Sequence, residues 1–266
     1  MIVNASTRFP VYFFYMLMCL ESALERGDAS RMFEPGKSSK FVLRSPLLAA
    51  LLIGLTIGLD GSRLGAETLH GVDFEVMYRP TAMPEKSDPA WRKTGALRGE
   101  VVPSSESPFL QLRSSLEGVA YYELKDGEWW RAGTALADGG VTVEFSVRVE
   151  DEEEAAEGVM GVSLADSQSA FVLLLDKNGI WPHAQPNAKV AVPLSEGFHT
   201  VRIVLPPGAA AASVYLDQQT EPALRLKRRK NASGKSRIAW GDLSARMGGR
   251  SSWQYFAFTN RGAFAP

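Results

Sequence analysis

The sequence predicts an all-β protein, an antiparallel β-sandwich, over residues 67–266. First, short segments alternate apolar and polar residues and are rich in β-branched and aromatic side chains. Second, Gly, Pro and Asn or Asp separate these segments. Third, no long amphipathic helical pattern follows residue 67. Many short strands with turns and without helices are typical of a sandwich or barrel, and the lack of a repeat excludes a propeller.

The clearest strand pattern spans residues 141–149 (VTVEFSVRV). Its four valines and Phe145 share one face, which we expect to be buried. The side chains at 142, 144, 146 and 148 share the other face, which we expect to be solvated. Turn signals follow at 126–127 (DG) and 176–179 (DKNG). The predicted strands are residues 72–78, 109–113, 119–124, 141–149, 159–164, 170–175, 189–192, 198–205, 213–217, 223–227, 237–240 and 253–258.

The first 66 residues differ from this pattern and predict an export signal. Residues 45–59 (SPLLAALLIGLTIGL) carry no charge, follow a basic stretch and precede the small residues that end at Ala66. A membrane-spanning helix needs about 20 apolar residues, and the run at residues 45–59 is shorter than that. We therefore expect no membrane span once the signal is cleaved. We assign residues 32–66 to the signal peptide and residues 1–31, before Met32, to an over-extended N-terminus. A membrane-anchoring signal, a buried helix or a long leader stay open as alternatives.

Composition excludes several classes of protein. The chain has 29 basic and 30 acidic residues, and its one cysteine, Cys19, precedes the predicted domain. Removing residues 1–66 takes seven of the 29 basic and five of the 30 acidic residues, which leaves a net charge of −3. That charge argues against a nucleic-acid partner. An exported domain without cysteine has no disulfide, so its stability depends on its hydrophobic core. The predicted location of the protein is secreted or periplasmic.

Several short motifs in the predicted domain resemble the concanavalin A-like lectin/glucanase superfamily, whose laminin-G-like members are jelly rolls. The opening segment 77–91 matches at Pro84, Glu85, Pro89 and Trp91, followed by Gly95. Gln218 and Gln254 depart from the pattern, at a hairpin glycine and at an acidic position. The other matching motifs are residues 198–203 (FHTVRI), 214–217 (VYLD), 238–242 (IAWGD), 253–258 (WQYFAF) and 262–266 (GAFAP).

The resemblance implies a jelly-roll sandwich, a fold that serves carbohydrate-binding modules, adhesive modules, glycosidases and polysaccharide lyases, so fold alone does not decide function. Glucanases of this fold need two close carboxylates, which a Glu-x-Asp-x-x-Glu run would supply, and the sequence has none. A lyase would need a His or Tyr base with an Arg. The candidates are His183, His199, Tyr215, Gln185 and Arg202.

Tryptophan is the residue type that best indicates sugar binding, because its flat face stacks on pyranose rings. All six tryptophans lie after residue 67. We predict that Trp91, Trp240 and Trp253 pack in the core. The predicted carbohydrate-binding residues are Trp129, Trp130, Trp181 and His183, which follows 181–182 (WP) in a loop.

No catalytic residue, cofactor or metal ligand is assigned. Calcium on carbonyl oxygens with Asp242 or Asp217 stays open, because oxygen ligands leave little trace in a sequence. Residues 226–230 (LKRRK), with Lys235 and Arg237, form a basic run. We favour a solvated strand edge for it, and contact with an anionic polysaccharide is the alternative.

The sequence therefore predicts an exported, non-catalytic jelly-roll module that binds a polysaccharide or glycan. Two alternatives stay open. One is a hydrolase or lyase with an atypical site around His183, Tyr215 and Arg202. The other is a structural or adhesive domain that binds a protein, which requires a contiguous exposed apolar patch.

Overall fold

Two antiparallel sheets, packed face to face, account for most of the residues that the structure describes. The computed structural model describes residues 67–114, 118–125, 139–151, 160–243 and 249–266, all within one compact unit, Arg63–Pro266. The described residues form eighteen strands: β1 Glu67–Leu69, β2 Val72–Phe74, β3 Val76–Tyr78, β4 Arg92–Thr94, β5 Arg98–Val102, β6 Phe109–Ser114, β7 Ala120–Lys125, β8 Val141–Asp151, β9 Met160–Ala165, β10 Ser169–Asp176, β11 Gly179–Pro182, β12 Val190–Ala191, β13 His199–Leu205, β14 Ala211–Leu216, β15 Leu224–Lys227, β16 Arg229–Lys230, β17 Arg237–Asp242 and β18 Gly249–Thr259.

Each sheet contains eight strands. Sheet A has the order β12-β11-β10-β9-β17-β7-β4, with β16 pairing with β10. Sheet B has the order β15-β14-β13-β8-β18-β6-β5, with β3 pairing with β18. Strands β1 and β2 form a separate hairpin, and two 3-10 helices span Pro84–Lys86 and Pro186–Ala188. The predicted all-β antiparallel sandwich is confirmed.

The hydrophobic core lies between the two sheets and is built by alternation along the strands. In β8 the four valines and Phe145 are 0% exposed, as their period of two predicts. An aromatic cluster occupies the centre, where Trp240 stacks on Phe256 with ring centroids 5.2 Å apart and Trp253 lies 4.9 Å from Trp240. Trp91 meets Trp240 edge-on at 5.8 Å. Trp91, Trp240 and Trp253 are at most 1% exposed, which confirms their predicted place in the core.

The other face of β8 is not solvated along its whole length, and this corrects the expectation from the sequence. Thr142 and Glu144 are 0% exposed. The β1–β2 hairpin lies over this face, where Val72 and Phe74 pack against Tyr255 of β18. The C-terminal tail also covers it, since the Thr142 hydroxyl donates to the carbonyl of Gly262 at 2.9 Å. Period-two alternation predicts which residues share a face, but tertiary packing decides what covers that face.

The sequence also predicted one strand over residues 72–78 where the structure has two. The chain leaves its hairpin partner β1 at Phe74 and pairs with β18 from Val76 onwards. A register shift in β18 between Trp253 and Tyr255 sends Trp253 to the core and Tyr255 to the outer face. Strands β1, β4, β5, β11 and β16 were not predicted; β4 and β5 are edge strands without buried residues and lack an apolar alternation.

Candidate functional site

A cleft of about 260 Å³ lies on the outer face of sheet A. Its floor comes from alternation in β10, where Phe171 and Leu173 point into the core while Val172 and Leu174 point outward. Small side chains on the same face, such as Ala165, keep the floor low. The rim carries six polar or cationic residues, which are His183, Arg229, Lys230, Asn231, Ser233 and Arg237.

One wall of the cleft is the segment that contains β16. Arg229 and Lys230 pair with the start of β10, which places both backbones along the edge of the cleft. The Asn231 side-chain amide then donates to the carbonyl of Lys235 at 2.9 Å. The Ser233 hydroxyl donates to the Asn231 side-chain oxygen at 2.7 Å. These bonds stabilise the turn that follows Arg229 and Lys230.

His183 lies beside Arg229 at the end of β11. Its backbone N–H donates to the carbonyl of Val172 at 3.1 Å, which fixes it to the neighbouring strand. Its Nδ1 lies 2.6 Å from Nη1 of Arg229. A guanidinium can only donate, so Nδ1 accepts in this contact. His183 therefore orients Arg229.

Arg237 projects from β17 into the same cleft and is 22% exposed. Its guanidinium lies 3.3 Å from Glu123, which is 4% exposed, and 4.9 Å from the ring centroid of Tyr121. Arg92 and Lys125 approach the same carboxylate at 3.9 and 3.7 Å. Among the described residues, one buried carboxylate thus serves three cations.

The structure places the predicted sugar-binding residues as follows. His183 lies in the cleft. Trp181 is 5% exposed and packs against Leu174 and Leu243, while Nζ of Lys189 lies 4.7 Å from its ring centroid. Lys189 thus covers one ring face and forms an ion pair with Asp176. The other two, Trp129 and Trp130, lie outside the described residues. Stacking by these tryptophans stays a prediction.

In the sequence, His183 and the basic run at residues 226–230 are separate features. The fold brings them together, because β16 pairs with β10 and β11 pairs with the other end of β10. The run passes from the end of β15 in sheet B to β16 in sheet A, and its β16 part is a wall of the cleft. Only the pairing between strands distant in sequence reveals this second role.

A second polar cluster is buried on the outer face of sheet B. Glu144 is 0% exposed and accepts from Nε of Arg202 at 2.6 Å and from the Tyr255 hydroxyl at 2.9 Å. His70 contributes Nδ1 at 2.7 Å, and Gln218 donates from Nε2 at 3.3 Å. Burial, with the negative charge of Glu144 beside it, raises the pKa of Tyr255. The sequence predicted that Glu144 lies on a solvated strand face; the structure makes it the centre of a network that anchors the β1–β2 hairpin.

The structure separates the residues of the alternative enzymatic site, which the sequence placed around His183, Tyr215 and Arg202. Arg202 and Tyr215 are cross-strand neighbours on sheet B. His183 lies on the outer face of sheet A, on the opposite side of the sandwich. Arg202 is 1% exposed and bound to Glu144, so its guanidinium does not face solvent. The structure therefore does not bring these three side chains together.

Further along β8 the outer face carries a partly exposed network around Glu150. This carboxylate accepts from Nε of Arg148 at 3.1 Å and from the Ser252 hydroxyl at 2.8 Å. Burial alone would raise the pKa of Glu150, but these hydrogen bonds and the charges of Arg148 and Arg250 outweigh burial and lower it. The network ties β8 to β18.

The described residues contain neither a metal-binding cluster nor a membrane-spanning helix. Among them, no group of three His, Cys, Asp or Glu side chains is arranged to hold a metal ion. Asp217 accepts from His199 Nδ1 and from the backbone N–H of Thr200, each at 2.9 Å, and Asp242 is buried. In the described ranges, no helix has the length and apolar character needed to cross a bilayer.

Comparisons with known proteins give structural similarity at low identity. No protein-family model matches the sequence, and no curated protein matches it. A carbohydrate esterase from the Shiga toxin-encoding bacteriophage phi24B is 14% identical with a TM-score of 0.49, over 71% of this chain and 98% of that chain. Cellulose-induced protein Cip1 is 7% identical with a TM-score of 0.43, over 69% and 98%. Trypanosoma rangeli sialidase is 16% identical with a TM-score of 0.39, over 63% of this chain and 27% of the sialidase. The resemblance to concanavalin A-like domains stays a prediction.

Proposed function

We propose that this protein is a non-catalytic carbohydrate-binding module and that the cleft on sheet A is its binding site. The observation that supports this is the lining of the cleft. Val172 and Leu174 form an apolar floor, while Arg229, Lys230 and Arg237 carry N–H donors around it. A pyranose has an apolar C–H face and a polar edge of hydroxyl groups, so it requires both kinds of surface in one concave site.

The size of the cleft favours a ligand segment of one or two sugar units. Ligand pockets for drug-sized molecules usually span about 300–1,000 Å³. A cleft of about 260 Å³ lies just below that range and suits one or two sugar units. A longer glycan would leave the remainder of its chain in solvent.

The absence of paired carboxylates supports binding rather than hydrolysis. Glycosidases use two carboxyl groups, about 5 to 9.5 Å apart, as acid and as nucleophile or base. Among the described residues that line the cleft, none is Asp or Glu. His183, the remaining candidate base, already accepts from Arg229 at Nδ1.

The sequence supports an extracytoplasmic location for this function. We infer that residues 32–66 direct export and that residues 67–266 form the mature module. Glycans of cell walls and extracellular matrices are then accessible as ligands. The adhesive alternative requires a contiguous apolar patch, whereas Val119 and Phe264 are the only large hydrophobic side chains that are exposed in the described part of the chain.

A glycan array tests the proposal with two matched variants. Val172→Trp fills the floor without changing any charge, and Ser213→Trp places the same side chain on sheet B, away from the cleft. We expect the wild type and Ser213→Trp to bind the same glycans and Val172→Trp to bind none of them. A folded wild type that binds no glycan, or a Val172→Trp variant that binds normally, contradicts the proposal.

A further inference from the structure

We propose that the cleft on sheet A selects a saccharide that carries an anionic group, either a uronic-acid carboxylate or a sulfate ester. This inference rests on the proposed function and adds the chemical class of the ligand. Three cationic side chains, Arg229, Lys230 and Arg237, line the cleft. No carboxylate belongs to the described lining.

The positive charge of the cleft is local. The whole chain has a net charge of −1, so this accumulation does not follow from a generally basic surface. Three cations around a space of about 260 Å³ repel one another, which favours an anion between them. In a concave site with an apolar floor, these charges are screened less than on an open surface.

Arg229 is the residue best placed to contact the anion. Its Nη1 is held by His183, and that contact consumes one donor of a group that has five. No ion pair among the described residues includes Arg229 or Lys230, so neither charge is neutralised by a described carboxylate. The contact with His183 orients the guanidinium at the edge of the cleft.

Arg237 contributes charge from the opposite wall. Its carboxylate partner Glu123 is shared with Arg92 and Lys125, so this one described carboxylate is divided among three cations. The two arginines project from β16 and β17, on either side of the floor formed by Val172. A planar guanidinium binds carboxylate or sulfate oxygens through two parallel hydrogen bonds, while the floor receives the C–H face of the same sugar.

The experiment compares three oligosaccharides of equal length by calorimetry with the purified protein: a uronic-acid oligomer, a sulfated oligomer and their neutral counterpart. We expect at least one acidic ligand to bind about tenfold or more tightly than the neutral one, since hydrogen bonds to charged groups contribute that much. The preference should shrink in 500 mM salt relative to 50 mM salt. Whichever acidic ligand binds more tightly identifies the group as carboxylate or sulfate.

Arg229→Gln is the test variant because it removes the charge and leaves Glu123 with its partners. We expect it to remove most of the acidic preference, and we expect Arg229→Lys to recover only part of it because the ammonium lacks the planar pair of donors. Arg225→Gln, at an exposed position of β15 in sheet B, is the control and should bind like the wild type. Circular dichroism and thermal melting confirm that each variant is folded.

The outcomes separate this inference from the proposed function. Equal affinity for neutral and acidic ligands, with binding still abolished by Val172→Trp, overturns the acidic preference and keeps the carbohydrate module. A loss in Arg225→Gln as large as that in Arg229→Gln also overturns it, since general surface charge would then explain binding. Failure of all three oligosaccharides and of the glycan array overturns the proposed function itself.

Discussion

The buried ion pair between Arg202 and Glu144 allows the sharpest test of how sheet B is held together. Arg202→Met keeps a long unbranched side chain but removes the guanidinium that donates to Glu144 at 2.6 Å and to the carbonyl of His70 at 3.3 Å. The side chains of Arg202 and Glu144 are 1% and 0% exposed. Water therefore cannot replace the lost partner without local opening of the hairpin.

The expected cost is about 3–5 kcal/mol of unfolding free energy, the range for removing one partner of a buried pair. Tyr255 and His70 still contact the carboxylate, at 2.9 and 2.7 Å, which favours the lower end of that range. Arg225→Met, at an exposed position of β15, is the matched control and should change stability by less than about 0.5 kcal/mol.

Urea unfolding, followed by tryptophan fluorescence, measures both variants at the same pH. A second variant, Glu144→Met combined with Arg202→Met, should recover a large part of the lost stability, because replacing both charges by apolar groups is often nearly neutral. A loss below about 1 kcal/mol in Arg202→Met would refute the reasoning, since it would mean that the carboxylate finds adequate solvation without the guanidinium.

Three further predictions concern stability. Gly95→Ala should cost at least about 1 kcal/mol more than Gly71→Ala, because both glycines have positive φ but only a Cβ at Gly95 overlaps the carbonyl oxygen of Val119; equal midpoints in thermal melting would contradict this. Trp240→Ala should cost about 3–5 kcal/mol by denaturant unfolding, since Trp240 is 0% exposed at the centre of the aromatic cluster, and a smaller loss would mean that the core collapses into the space. Because the pKa of Glu150 is lowered in the folded state, its contribution is present above its unfolded-state pKa and is lost as pH falls through the folded value. Unfolding free energy measured from about pH 5 to 3 should therefore fall less steeply in Glu150→Gln than in the wild type, and identical slopes would contradict the shift.

Some strand predictions were confirmed because the period-two alternation of side chains along a strand is a local property. The alternation over residues 141–149 predicted the core side of β8 correctly, down to Phe145. Trp240 and Trp253 were placed in the core from their apolar neighbours alone. The pattern fails at edges, where half of each strand faces solvent, and β4 and β5 were missed for that reason.

The candidate site was predicted only in pieces. His183 and the basic run were each identified, yet 46 positions separate His183 from Arg229, and no local pattern shows that they meet. The role of Glu144 was missed because its partners His70 and Arg202 lie 74 and 58 positions away. A lone carboxylate on an otherwise polar strand face was the one available signal, and it does not reveal what covers that face.

The sequence by itself determined the fold class, the alternation of buried and outward residues, and the aromatic centre of the core, because these depend on side chains a few positions apart. The tertiary structure alone decided that the β1–β2 hairpin covers part of sheet B and that β16 joins β10 to complete a cationic cleft on sheet A. Both results depend on hydrogen-bonded pairing between distant strands. That pairing depends on how all the strands pack around the common core, so no single segment of the sequence predicts it.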